Sequence, residues 1–98
     1  MTQEQIISRM RTAVKKYAEE TLNLPSESID KFTRFGANIM AAKWDIVPGL
    51  YLSGFEDAIV NNDLMSTFAK ADDENRKLIH YYVIMWNSME FPTKELVV

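Results

Sequence analysis

Polar side chains stand immediately ahead of apolar runs in the second half of the chain, and they constrain its fold more than any other feature. Asn62 and Asp63 precede Leu64, and Asp72 and Asp73 precede a longer apolar run. Asn and Asp at such positions accept hydrogen bonds from the first backbone N–H groups of a helix, which have no partner within the helix. We therefore interpret both stretches as helix starts.

Residues 1–24 are predicted to form an amphipathic N-terminal helix. Thr2 and Gln5 have the spacing of a capping box. The apolar side chains then recur on one face with a period of about 3.6 residues: Ile6, Ile7, Met10, Ala13, Val14, Tyr17 and Ala18. Because the residue before a proline is pushed out of the helical region, Pro25 blocks continuation, and we expect the helix to end near Asn23.

Residues 26–44 are predicted to form a second helix. Ser26 is placed as its N-cap, with Glu27 in the first turn, where the helix dipole favours an anion. Its inward stripe is predicted to contain Ile29, Phe32, Phe35, Gly36, Ile39 and Met40. A glycine on that stripe indicates either a close helix crossing or a kink.

Residues 49–92 are predicted to form a module of shorter helices, after an irregular stretch with a turn at Pro48 and Gly49. Ser53 and Glu56 have capping-box spacing and start one short helix. The next short helix carries Leu64, Met65 and Phe68, and we expect Phe68 and the earlier Phe55 to be buried.

The last helix is predicted to start at Asp72 or Asp73. Its inward side chains would be Leu78, Ile79, Tyr82, Met85, Trp86 and Met89. Residues 79–86 are rich in aromatic and β-branched side chains, so a buried strand is the competing interpretation. The acidic start and the lack of a second strong strand favour helix, and residues 93–98 are interpreted as a tail.

Composition bounds the fold and several functions. Ninety-eight residues correspond to one domain. Three glycines and three prolines are few for an all-β protein, so we predict an all-α fold, a small bundle of four to five helices. The absence of cysteine excludes disulfides and thiolate metal sites. With no signal-peptide pattern at the N-terminus and no apolar run long enough to span a membrane, we expect a soluble cytoplasmic protein without membrane contact.

Charge is unevenly distributed along the chain. Residues 45–75 contain seven acidic side chains and one basic side chain, Lys70, within a chain of net charge −3. This region is either a solvated face or a surface for a basic partner. The candidate partner residues there are Asp57, Asp63, Asp72, Asp73 and Glu74. An acidic middle does not favour nucleic acid; the alternative basic face on the first helix comprises Arg9, Arg11, Lys15 and Lys16.

The last helix has a broad apolar arc. Tyr81 belongs to that arc, whereas Ile84 falls on the otherwise polar side. Such coverage indicates deep burial, or a second packing partner such as another protein or another copy of the chain. Tyr81 and Ile84 are therefore further candidates for a partner surface.

Motifs for chemistry are missing from the sequence. His80, the single histidine, has no nucleophile or orienting carboxylate at a defined spacing. The acidic residues lack the alternating ligands and central glycine of a calcium loop, and there is no glycine-rich phosphate loop. We therefore expect no catalytic residue, no metal and no cofactor.

The segment 49–92 resembles a family of short proteins encoded by tailed bacteriophages, prophages and plasmids. The resemblance rests on an Asn-Asp-Leu followed by an Ala-Asp-x-x-Asn. The matching residues are Gly49, Gly54, Phe55, Ala58, Ile59, Asn62, Asp63, Leu64, Phe68, Ala71, Asp72, Asn75, Ile79, Asn87 and Pro92. It implies a phage or mobile-element origin and a compact helical module, and it implies no catalytic residue.

These observations favour a non-enzymatic accessory protein that acts by binding another protein, with a host factor or a defence component as the candidate partner. The alternative is a nucleic-acid-associated regulator that binds through the basic face of the first helix.

Overall fold

The computed structural model describes residues 1–96, and within them the fold is all-α. The helices are α1 (Gln3–Glu20), α2 (Ser26–Lys43), α3 (Gly54–Val60), α4 (Leu64–Lys70), α5 (Asp73–Ser88) and α6 (Thr93–Leu96). No strand occurs in this part of the chain, so the all-α prediction is confirmed. Five helices have seven or more residues, and the sixth, α6, lies in the segment predicted to be a tail; residues 97–98 of that tail lie outside the described range.

The predicted capping box starts α1. The Gln5 backbone N–H donates to Thr2 Oγ1 at 3.2 Å, and the Thr2 N–H donates to Gln5 Oε1 at 2.8 Å. The helix ends at Glu20, earlier than predicted, because the chain closes its end by turning through a left-handed residue, Asn23 (φ 53°). Leu24 then donates its N–H to Ala18 O at 3.1 Å and is buried.

The prediction that Ser26 caps α2 is wrong. Ser26 is the first residue of the helix, and Pro25 occupies the N-cap position with an extended backbone. No side chain caps this end, although Pro25 O accepts the Ser28 N–H at 2.9 Å. Proline fixes the extended backbone that a cap needs but offers no side-chain acceptor.

The inward stripe of α2 is confirmed, apart from Phe35, which is half-buried. At Gly36 the structure favours a close approach over a kink, since α2 runs unbroken from Ser26 to Lys43. A Cβ atom at Gly36 would lie 3.0 Å from both Met85 Cε and Val14 Cγ1. Glycine therefore allows side chains of α1 and α5 to meet against the α2 backbone.

The core is centred on three aromatic rings. Phe32 of α2 stacks on Tyr82 of α5 with ring centroids 4.7 Å apart. Phe55 of α3 contacts the same tyrosine edge-on at 5.7 Å. Because Tyr82 and Phe32 are fully buried, this cluster fixes the positions of three helices around one point.

The shorter elements start as the sequence predicted. Val47 O accepts the Leu50 N–H at 3.2 Å across the Pro48–Gly49 turn, where Gly49 has φ 74°. Ser53 and Glu56 form both hydrogen bonds of a capping box at the start of α3.

The last long helix confirms two predictions. Asp72 is its N-cap, and its Oδ1 accepts the Asn75 N–H at 2.8 Å. Residues 79–86 lie within α5, so the strand interpretation is excluded.

The orientation of α4 differs from the prediction. Its buried residue is Thr67, which donates its hydroxyl to Asp63 O at 2.7 Å. Leu64, Met65 and Phe68 are instead 60%, 86% and 44% exposed. A helix of seven residues has only two turns, so burying one small side chain, Thr67, is enough to determine which way it faces.

We predict that Phe55→Ala costs about 3–5 kcal/mol of unfolding free energy, because its ring is 4% exposed and contacts Tyr82. Phe68→Ala serves as the matched control and should cost less than about 1 kcal/mol, since its ring is already partly solvated. Urea unfolding of the two variants measures both values. Equal losses would contradict the outward orientation of α4.

Candidate functional site

The outward side of α4 is apolar. Leu64, Met65 and Phe68 are exposed and spaced as one face of a helix, and the buried Thr67 lies along the edge of that face next to Leu64. We call these three residues the apolar α4 face. Contiguous exposed apolar side chains on a small protein mark an interaction surface more often than isolated ones do.

Two acidic residues precede this face in the chain, Asp63 directly and Asp57 on the preceding helix, α3. Asp63 is the N-cap of α4 and accepts the Ser66 N–H at 3.1 Å. Hydrogen bonds from the side chain and backbone of Ser66 hold the pKa of Asp63 below its usual value, so it is charged at neutral pH. Asp57 is exposed on α3, and neither carboxylate forms an ion pair within residues 1–96. Their negative charge is thus available to a partner.

The other three predicted acidic candidates are already paired. Lys31 binds Asp72 and lies 3.9 Å from Glu74, and Arg76 contacts Asp73 at 3.3 Å. The hydrogen bond from Lys31, followed by that from the Asn75 N–H, lowers the pKa of Asp72. The predicted acidic surface therefore consists of an unpaired part, Asp57 and Asp63, and a part that starts α5 and is partly neutralised.

We predict that Asp72→Ala destabilises the protein by about 1 kcal/mol, because α5 loses the side chain that accepts the Asn75 N–H. Asp72→Asn keeps an acceptor and should cost less. Asp73→Ala, which removes only an exposed pair, is the control and should be nearly neutral. Chemical denaturation at neutral pH measures the unfolding free energies of the three variants. A loss of stability as large for Asp72→Asn as for Asp72→Ala would contradict a capping role.

The candidate apolar residues on α5 are less exposed than the sequence indicated. Tyr81 is half-buried, with its ring 5.5 Å from that of His80, and Ile84 is also half-buried. The exposed apolar residue is Val83, at 45%, on the same outward side as His80 and Asn87. Sequence reasoning missed it, although its three- and four-residue spacing from those two polar residues placed it there.

Val83 forms one wall of a groove between the end of α3 and the second half of α5. The groove has a volume of about 270 Å³ and is lined by Ile59, Val60, Asn62, Val83, Trp86 and Asn87. It stays open because no Cα atom of α3 lies within 8 Å of a Cα atom of α5. Asn62 is two residues from Leu64, so the groove lies next to the apolar α4 face along the chain.

The basic residues proposed on the first helix do not form one surface. Arg9 donates from Nη1 to Glu95 O at 3.2 Å, and Lys16 lines a depression that also contains Glu20 and Glu95.

The other two basic residues line separate depressions. Lys15 lies with Glu19 and Asp30, and Arg11 with Glu4. Acidic neighbours thus accompany each basic side chain, which weakens the attraction of this helix for phosphate.

A buried polar network comprises Tyr82 and Asn75 of α5, with the buried Glu56 of α3 close enough to act on Tyr82 through its charge. The Tyr82 hydroxyl donates to Asn75 Oδ1 at 2.8 Å, and Asn75 is 2% exposed. Burial, and then the negative charges of Glu56 and Asp72, raise the pKa of Tyr82 far above its usual value. Glu56 accepts the Ser53 N–H through Oε1, while its buried Oε2 has no hydrogen-bond partner among residues 1–96.

We predict that Tyr82→Phe costs about 1–3 kcal/mol at neutral pH, because Asn75 Oδ1 loses its buried donor. Above about pH 10 a tyrosine ionises in the unfolded chain, whereas folded Tyr82 keeps its proton. Wild-type stability therefore falls as pH rises through this range, and the difference from Tyr82→Phe should shrink.

Denaturant unfolding at neutral pH and at about pH 11 measures this difference. Tyr51→Phe is the control, since Tyr51 is 85% exposed. A gap between wild type and Tyr82→Phe that stays constant with pH would contradict the network.

Two further features bear on function. Within residues 1–96, no three or more His, Asp or Glu side chains are grouped so that they could hold a metal ion. No helix in the same range combines the length and the apolar character that crossing a membrane requires.

Comparison of the chain with models of protein families, with curated proteins and with solved structures found no match in any of the three.

Proposed function

We propose that this protein is a non-enzymatic binding protein that holds a protein partner through the apolar α4 face. The observation that carries the proposal is the exposure of Leu64, Met65 and Phe68 on one face of a helix in which Thr67 is the buried residue. Solvated side chains of this size contribute little to folding, but they provide binding energy when a partner covers them.

The acidic residues near the apolar α4 face favour a partner whose surface carries Lys or Arg. Asp57 and Asp63 form no ion pair among the described residues; Asp63 directly precedes the apolar α4 face, and Asp57 lies on the preceding helix. A partner whose apolar recess is bordered by Lys or Arg would match both the face and its acidic surroundings. A symmetric contact with a second copy would bring these carboxylates towards their own equivalents, which is unfavourable.

The resemblance of residues 49–92 to phage and plasmid proteins supports an accessory role in a mobile element. On this proposal the helical bundle presents α4 in the host cytoplasm, without a cofactor, and the partner is a host factor or a defence component. The alternative, a nucleic-acid regulator, has less support, because Arg9, Arg11, Lys15 and Lys16 are divided between separate depressions.

Site-specific photo-crosslinking tests the proposal. Met65 is replaced by benzoylphenylalanine, and Thr12, exposed on α1, is replaced in a matched control. After irradiation in nuclease-treated bacterial lysate, we expect a protein adduct from position 65 that is absent from position 12. The adduct should survive high salt, should disappear in a Leu64→Ser, Phe68→Ser background, and should map to a partner segment containing Lys or Arg.

Three outcomes would contradict this proposal. An adduct with a second copy of the chain would assign the face to self-association. Nucleic acid recovered at low salt and lost at high salt would favour the regulator, because phosphate binding weakens steeply with salt. Equal adducts at both positions, or none at position 65, would leave the α4 face without a partner.

A further inference from the structure

The groove between α3 and α5 has the size and lining of a peptide-binding site. Ile59, Val60, Val83 and Trp86 supply apolar walls. Pockets that enclose drug-sized ligands measure roughly 300–1,000 Å³. At about 270 Å³, this groove instead matches one or two side chains.

Amide groups at the groove determine which backbone would fit. Asn87 donates from Nδ2 to Val83 O at 2.9 Å, so its Oδ1 remains available as an acceptor. The side chain of Asn62 forms no hydrogen bond among the residues that the structure describes. A helical ligand satisfies its own backbone groups, whereas an extended peptide presents N–H and C=O groups that such amides can pair with. The lining therefore favours an extended ligand.

Charged residues near the groove favour one orientation of the ligand. Asp63 directly follows the lining residue Asn62, and Asp57 lies on the same helix as Ile59 and Val60. Beside the lining residue Trp86, Lys43 donates to Trp86 O, with its Nζ 5.3 Å from the Trp86 ring centroid. A basic side chain of the ligand is thus stabilised near Asn62 and repelled near Trp86.

We propose that this groove binds an extended peptide segment of a protein partner, with an apolar side chain between Val60 and Val83 and a Lys or Arg beside Asp63. The inference rests on the proposed function, because the partner held by the α4 face would supply this segment. It adds a second contact, specific for sequence, to the contact made by Leu64, Met65 and Phe68.

Selection from a displayed library of random short peptides tests the groove without knowledge of the partner. We expect enriched peptides to share an apolar residue near a basic one. Val83→Trp fills the groove at a position that is already 45% exposed, and should weaken binding of these peptides at least about tenfold. His80→Trp, on the same side of α5 but outside the groove, is the matched control and should leave binding unchanged.

The amide contact is tested separately. Asn62→Gly removes the side chain but tolerates the left-handed backbone at this position (φ 56°), and should weaken binding severalfold. Asn61→Ala, beside it but outside the groove lining, should have no effect.

The tests of the apolar α4 face and of the groove can fail independently of each other. The Leu64→Ser, Phe68→Ser double variant should abolish the lysate adduct from position 65 yet leave peptide affinity for the groove unchanged. Peptides that bind wild type and Val83→Trp equally, or a library that yields no enrichment on wild type over Val83→Trp, would overturn the groove proposal while the Met65 adduct stands. Enriched groove peptides without a Met65 adduct would instead refute the role of α4.

Discussion

The side chain of Tyr82 links three helices of this fold. Its ring stacks on Phe32 and contacts Phe55, and its hydroxyl is bonded to Asn75, so α2, α3 and the start of α5 are held by one residue. Both kinds of contact depend on geometry: the rings must overlap, and the hydroxyl must reach a buried acceptor. Once these helices are fixed, the chain between α3 and α5 has little freedom, and that chain contains α4.

The short connections on either side of α4 determine which way it faces. Asn62 takes a left-handed backbone directly after α3, and Asp63 then starts α4 by accepting the Ser66 N–H. At the far end, Ala71 is buried and Asp72 starts α5. These roles give a physical reason for three residues of the Asn-Asp and Ala-Asp-x-x-Asn phrases, because Asn62 takes a left-handed backbone and Asp63 and Asp72 cap helices.

How well the sequence predicted the fold depended on the length of the pattern. The all-α class, the capping box at Thr2 and the N-caps Asp63 and Asp72 were predictable from the sequence. A capping side chain bonds to backbone N–H groups only two or three residues away, so short sequence patterns reveal it. The inward stripe of α2 was equally predictable, because its apolar side chains recur at helical spacing over about five turns. In α4 two turns gave too few positions to separate an inward face from an outward one, and so Phe68 was placed in the core.

The candidate site was predicted in part for a related reason. Composition located an acidic region, but pairing is a property of the fold: Lys31, distant in sequence, contacts Asp72 and Glu74, whereas Asp57 and Asp63 are left without ion pairs among residues 1–96. The groove likewise lies between α3 and α5, whose spacing depends on tertiary packing and is not encoded by either segment alone.

The fold therefore separates two uses of acidic residues that look alike in sequence. Carboxylates that start α5 are held by backbone N–H groups and by lysine or arginine, and their energy contributes to folding. Asp63 also caps a helix through one oxygen, but it forms no ion pair among the described residues and lies beside exposed Leu64 and Met65 in the chain. A surface where unpaired charge and solvated apolar side chains coincide is stabilised when a complementary partner covers it. The partner buries the apolar side chains and pairs the charge in the same contact. That coincidence, more than the acidity of the whole region, directs attention to α4.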